Sequence, residues 1–303
     1  MKPLVLGHRG ASGYRPENTI EAFELAFAQG ADGIECDLVP TKDGELLIRH
    51  ENWLDGTTNI AELPSFASRM RTGYSDGLTE KGFFSEDFLY SELGELRAKE
   101  RVPDIRPGSA KFDSQFRVPR IDDLLAQSFL DNKTCVVEIK HGRYFAKLGI
   151  DVAGILAQKL ERANWLGRGI RIVIESFDEE MLRLLKIACG DDKEYVFLTE
   201  AERLPKGQTL ISDEQLANLA EDFDGVSVDI PMLFDVNEAG SVISNGTVER
   251  ARGFDLGVYC WTLKAEDALN SVEEYFAQLA LAGLDGIFVD QPDLLRQVVD
   301  GTA

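Results

Sequence analysis

Short apolar runs recur along the chain at residues 4–7, 33–38, 134–139, 170–174, 195–198, 225–228, 256–261 and 286–289, each bounded by Gly, Asp or Pro. Between most of them the apolar positions switch to helical spacing, as in Ile20, Phe23, Ala26 and Phe27, then Ile150, Ala153, Ile155 and Leu156, then Met181, Leu184, Leu185 and Ala188. Strand–helix alternation repeated eight times predicts a parallel sheet, and the count favours closure over an open doubly wound sheet. The expected fold is therefore α/β, a (βα)8 TIM barrel. The first helix carries its own signals: Asn18 placed to cap it, Glu21 as a capping-box partner, and Gly30 beyond its last turn.

Residues 52–118 break this rhythm. They are rich in Gly, Ser, Asp and Pro, and they carry aromatics at Trp53, Phe66, Tyr74, Phe83, Phe84, Phe88, Tyr90, Phe112 and Phe116. The stretch reads as a loop-rich insertion after the second barrel strand, within a single domain spanning 1–303. Its aromatics are expected to form a small core of their own, and the loops to cap the substrate pocket.

With 303 residues, 44% of them hydrophobic, the chain can bury a sizeable core. The net charge of −21 leaves no basic footprint for nucleic acid and opposes an anionic membrane surface. A small diester is not excluded, because salt screens the long-range field and a bound cation reverses the sign locally. No run approaches the length of a membrane span, so no integral membrane segment is expected. Met1-Lys2-Pro3 leads directly into the first strand, which predicts a cytoplasmic protein; a periplasmic or secreted enzyme with its leader removed would look the same. The four cysteines, Cys36, Cys135, Cys189 and Cys260, lack metal-site spacing and are read as buried free thiols. Oligomeric state is not legible.

Polar groups gather at the carboxyl ends of several predicted strands, the rim where barrel enzymes keep their active sites. Period-two alternation sends Glu35 and Asp37 to one face, with Cα atoms roughly 7 Å apart. The same alternation puts Glu138 and Lys140 on one face of their strand. Carboxylates on parallel barrel strands need partners, because those strands are covered outside and packed within. Glu35, Asp37 and Glu138 form an oxygen-only set that suits one hard divalent cation, calcium or magnesium, better than zinc. His8 ends the first strand and is followed by Arg9, a side chain suited to gripping phosphate bidentately. His50 closes a predicted strand entered through the turn Asp43-Gly44. Cleaving a phosphodiester takes one group to deprotonate the attacking oxygen and another to protonate the departing one, and two imidazoles meet that demand. Glu17 is placed to orient Arg9 or to favour the helix N-terminus electrostatically, Trp261 to pack within the barrel or to form a wall against a glycerol or choline moiety, and His141 is read as a surface residue.

These residues match a known pattern: His8-Arg9-Gly10, Pro16-Glu17-Asn18-Thr19, Gly30 through Asp37, Thr41-Lys42-Asp43-Gly44, His50, Val137-Glu138-Ile139-Lys140 and the closing Asp285 through Asp293. The chain resembles the glycerophosphodiester phosphodiesterases nearly end to end. The resemblance implies a barrel, a divalent ion at Glu35, Asp37 and Glu138, an acid/base pair at His8 and His50, and phosphate contacts from Arg9 and Lys140. The insertion is similar to that of the family's longer branch, which commonly uses calcium and is often exported. One departure is Glu51, where the family usually has Asp.

The expected reaction is hydrolysis of a small-molecule glycerophosphodiester to glycerol 3-phosphate and an alcohol. Attack by water and attack by the glycerol 2-hydroxyl both fit. A phospholipase acting on intact lipids is the alternative, disfavoured by the charge. A binding protein that has lost its chemistry and a two-carboxylate glycosidase explain fewer of these residues.

Overall fold

The structure is a computed structural model, and it describes residues 2–75, 77–236 and 242–301. In chain order its strands are β1 (Leu4–His8), β2 (Gly33–Pro40), β3 (Leu46–Ile48), β4 (Arg71–Ser75), β5 (Leu78–Gly82), β6 (Thr134–Ile139), β7 (Arg171–Ser176), β8 (Glu194–Thr199), β9 (Gly225–Asp229), β10 (Phe234–Val236), β11 (Val242–Ser244), β12 (Gly257–Leu263) and β13 (Gly286–Val289). Eight of them, β1, β2, β6, β7, β8, β9, β12 and β13, pair in parallel, and β1 bonds to both β13 and β2, so the sheet closes into a (βα)8 TIM barrel. All eight apolar runs picked out from the sequence are barrel strands.

β3 lies antiparallel to the end of β2, with Leu38 opposite Ile48, and this short hairpin carries the chain to His50. One layer of Leu6, Val136, Val173, Val196, Tyr259 and Phe288 fills the barrel. At its amino-terminal end Arg171 reaches Glu194 and the Tyr259 hydroxyl. Outside the sheet, apolar faces of the strands and helices merge into one continuous core.

The insertion consists of 3₁₀ turns, the antiparallel hairpin β4–β5 and one turn of α-helix at Pro107–Ala110. Its aromatics do not make a separate core. Phe66, Phe83 and Phe88 pack into the main one, with Phe66 edge-on to Phe88 at 5.3 Å. Ser85 Oγ donates to the Pro40 carbonyl at 2.9 Å, tying the excursion to the end of β2.

The first helix, Ile20–Ala28, is capped by Thr19 rather than Asn18: Thr19 Oγ1 accepts from Ala22 N at 3.2 Å. Asn18 sits at φ +59° with its amide turned to Asp37, so the side chain expected to cap the helix is engaged across the barrel rim. Gly30 follows the last turn at φ +88°, as expected. Cys36, Cys135 and Cys260 are buried free thiols, whereas Cys189 is only half-buried.

Candidate active site

β1 ends at His8, and the chain turns sharply through Arg9 (φ +55°) and Gly10 (φ +85°). Only glycine fits at Gly10, where an added Cβ would lie 2.5 Å from the Ala22 carbonyl carbon. Arg9 holds its left-handed conformation, a cost of order 1 kcal/mol for a non-glycine residue, because its N–H donates to Glu35 Oε2 at 2.9 Å and its carbonyl accepts from Asn18 N at 3.0 Å. The turn brings the guanidinium over the rim. Arg9 Nη1 lies 3.1 Å from Glu17 Oε1, and Nε lies 3.1 Å from Asp37 Oδ2.

The inward residues of β2, β6 and β7 supply the acids. Register places Asp37 beside Glu138 and Glu138 beside Glu175. Glu35, Glu138 and Glu175 each offer an oxygen within 4.8 Å of the others, and all three side chains are buried. Glu35 Oε1 and Glu175 Oε2 are buried without a hydrogen-bond donor among the described residues. Burial pushes all three carboxyls up, Glu138 to about 7, and repulsion from neighbouring carboxylates, Asp37 among them at each, adds to it. Buried carboxylate oxygens left without a donor, on acids crowded by other carboxylates, are what a hard cation would relieve, so these residues fit a divalent metal site.

Asp37, expected as a ligand, is not in that trio. Asn18 Nδ2 donates to its Oδ2 at 2.8 Å, and Lys140 Nζ stands 3.4 Å from Oδ1. Burial raises its pKa, but Arg9, Lys140 and His50 outweigh that and hold it well below the usual range. Lys140 Nζ also meets Glu138 Oε1 at 2.7 Å. Glu175 was missed because the predicted strand stopped at residue 174. The available signal was its parity with Val173 in Ile172-Val173-Ile174-Glu175.

His8 and His50 line the same cleft of about 850 Å³, together with Arg9, Glu17, Glu35, Glu138, Lys140, Glu175 and Trp261. Each histidine is anchored at Nδ1, His8 by Asp290 Oδ1 at 2.7 Å and His50 by Glu51 Oε1 at 2.6 Å. Burial raises both carboxyls, yet their histidine and arginine neighbours dominate and keep them ionised. They therefore accept, which puts the proton on Nδ1 and leaves Nε2 as the free base. Burial and Arg9 lower both imidazole pKa values, that of His50 to about 4. Trp261 meets Phe177 edge-on at 5.4 Å, and both rings line the cleft. His141, expected at the surface, is half-buried on the cleft wall.

The insertion supplies Tyr74, Arg101, Val102, Ile105 and Arg106 to the cleft. Arg101 bonds Glu17 at 2.7 and 2.8 Å, the same carboxylate that holds Arg9. No periodicity marks either arginine in the sequence.

A profile of the glycerophosphoryl diester phosphodiesterase family matches residues 8–294, almost the whole chain. The chain belongs to that family. As a glycerophosphodiester phosphodiesterase it is similar over 317 residues to an enzyme of that name from Arabidopsis thaliana, at 28% identity, covering 95% of this chain and 84% of the other. A glycerophosphodiester phosphodiesterase of Haemophilus influenzae is 27% identical over 329 residues, covering 96% and 88%. Among solved structures, a putative family member from Silicibacter pomeroyi superposes with a TM-score of 0.75 at 20% identity, covering 99% of this chain and 94% of that one. A phosphodiesterase from Oleispira antarctica, solved in complex with the product sn-glycerol-3-phosphate, gives 0.66 at 19% identity, covering 99% and 97%. Both structures share the barrel. No helix among the described residues is long and apolar enough to cross a membrane.

Proposed function

We propose that this glycerophosphodiester phosphodiesterase hydrolyses small diesters such as glycerophosphocholine and glycerophosphoethanolamine, with His8 and His50 sharing acid and base duty. The observation that carries the reading is two imidazoles, each fixed at Nδ1 by an ionised carboxylate, lining one cleft with Arg9, Lys140 and a buried carboxylate trio. The product complex of the Oleispira antarctica relative supports the substrate class.

Glu35, Glu138 and Glu175 would hold one divalent cation, and the family pattern adds Asp37 to that set. All the donors are carboxylate oxygens, and the reading puts calcium ahead of magnesium on the resemblance of the insertion to that of the family's longer branch. When bound, the cation would neutralise phosphate oxygens and lower the pKa of the attacking hydroxyl.

The chain's own residues do the rest. Arg9 and Lys140 bind the phosphate, and Glu17 orients Arg9. One histidine takes the proton of the attacking oxygen at its free Nε2; the other enters the cycle as the imidazolium beside its anchoring carboxylate, gives its Nε2 proton to the departing alkoxide, and the proton gained by the first returns to it through solvent. Trp261 and Phe177 wall the cleft against the organic arm of the substrate. The insertion lies over one side of the cleft and limits the arms that enter.

The test is glycerol 3-phosphate release from a panel of diesters, after treatment with chelator and again after calcium or magnesium is added back. Activity lost to chelator and restored by calcium supports the reading, as does loss of turnover in folded His8→Ala and His50→Ala. Full turnover in chelator, or in either histidine variant, overturns it.

A further inference from the structure

The two histidines are held by matching relays that converge on one short stretch of the insertion. Behind His8, Asp290 uses its other oxygen to accept from Arg106 Nη2, and the same guanidinium reaches Glu266 and, at 3.2 Å, the Ser12 carbonyl. Behind His50, Glu51 accepts from Arg101 Nη1 at 2.7 Å and Nη2 at 2.9 Å. Arg101 and Arg106 lie in one compact turn, pinned by Arg106 N to the Val102 carbonyl at 2.9 Å, Glu100 N to Asp113 Oδ1 at 2.7 Å and Ala98 N to the Phe116 carbonyl at 2.9 Å.

A carboxylate held by a single imidazole can swing about its own bonds, and the ring swings with it. A guanidinium on the far side removes that freedom. We propose that Arg101 and Arg106 are positioning residues for the reaction: each grips the carboxylate that anchors one catalytic histidine, so the insertion completes the acid/base pair as well as walling the cleft. The inference rests on the roles proposed above for His8 and His50. It makes the insertion part of the catalytic architecture, because both arginines come from outside the barrel.

The test uses the intact enzyme with saturating calcium and glycerophosphocholine. In Arg106→Met, kcat falls by about 10–100-fold, the range for a lost outer-shell partner, while KM stays within about threefold. In Arg101→Met kcat falls by a similar factor and KM rises, because Arg101 also steadies Arg9 through Glu17. Lys99→Met, which breaks the Lys99–Glu62 pair on the same insertion at 2.6 Å, leaves both constants unchanged.

With only three histidines in the chain, imidazole NMR gives a readout independent of turnover. Two slowly exchanging Nδ1–H signals are expected in the wild type; Arg106→Met loses that of His8 alone and Arg101→Met that of His50 alone. Arg→Lys variants, which keep the charge but lose the fork, recover part of kcat. The inference is overturned by a kcat within twofold of wild type, by retained Nδ1–H signals, or by failure of both the Met and the Lys forms to fold, which would assign the arginines to stability. Full turnover in His8→Ala would instead sink the underlying acid/base roles. Lost turnover there beside intact arginine variants sinks only this inference.

Discussion

Replacing Glu175 by Gln keeps shape and packing and removes one charge from the carboxylate trio, so it separates a metal site from a structural cluster. At the 4.8 Å limit between the acidic oxygens, two full charges repel by about 3 kcal/mol at an effective dielectric constant near 20. This cost favours the protonated form of the acid in the metal-free fold, and burial followed by Glu138 raises the pKa of Glu175 in that direction. A carboxyl whose native pKa is raised makes folding less favourable as pH climbs from its unfolded value of about 4.3 toward the native one, and at pH 7 that penalty is capped at about 3–4 kcal/mol. Gln escapes the penalty. In chelator at pH 7, Glu175→Gln is therefore expected to be more stable than wild type by about 1–3 kcal/mol, a rise in Tm of roughly 3–8 °C for a chain of this size. The gap shrinks toward pH 4.5. In saturating calcium the order closes or reverses, because the wild type binds the ion more tightly and gains the corresponding stabilisation. Differential scanning fluorimetry across pH, with and without calcium, measures both effects. A variant less stable in chelator, or an offset that calcium leaves unchanged, refutes the reasoning.

Three further outcomes follow from the same geometry. Because burial and Arg9 lower the pKa of His50 to about 4 and also depress that of His8, the base stays neutral below the ordinary imidazole range. The acid limb of kcat/KM in saturating cation should then lie below pH 6, and a limb at 6.5 or above contradicts it. Gly33→Ala puts a Cβ 2.7 Å from both Thr134 Cβ and the Thr134 carbonyl oxygen, so urea unfolding should show a loss of about 1–3 kcal/mol; an unchanged midpoint argues against so close an approach of β2 and β6. Thr19→Ala removes the actual helix cap and should cost about 1 kcal/mol with little loss of kcat, whereas Asn18→Ala releases Asp37 and should lower kcat/KM at least tenfold. Equal effects of the two on activity would count against the Asn18–Asp37 link.

The barrel was readable because its strands are short apolar runs with clear Gly, Asp and Pro boundaries, and because a charge at inward parity on a covered strand demands an explanation. That logic singled out Glu35, Asp37 and Glu138 and placed His8 and Arg9 beside them. It stopped two residues early on β7, which runs to Ser176; a lone acid after Ile174 resembles a strand terminator, and so Glu175 was passed over. Arg101 and Arg106 had no such handle: they sit in an aperiodic loop and find partners 84 and 184 positions away along the chain. Asn18 shows a different failure. Its local signal for helix capping is real, but a buried carboxylate competes for the same amide and wins.

The plug of Leu6, Val136, Val173, Val196, Tyr259 and Phe288 lies between the cleft and the Arg171–Glu194 pair at the far end of the barrel, so the barrel serves as a floor and not as a pore. Reactant entry and the exit of both fragments of the proposed reaction would then share the carboxyl-terminal rim, where Arg9 and Lys140 line the cleft.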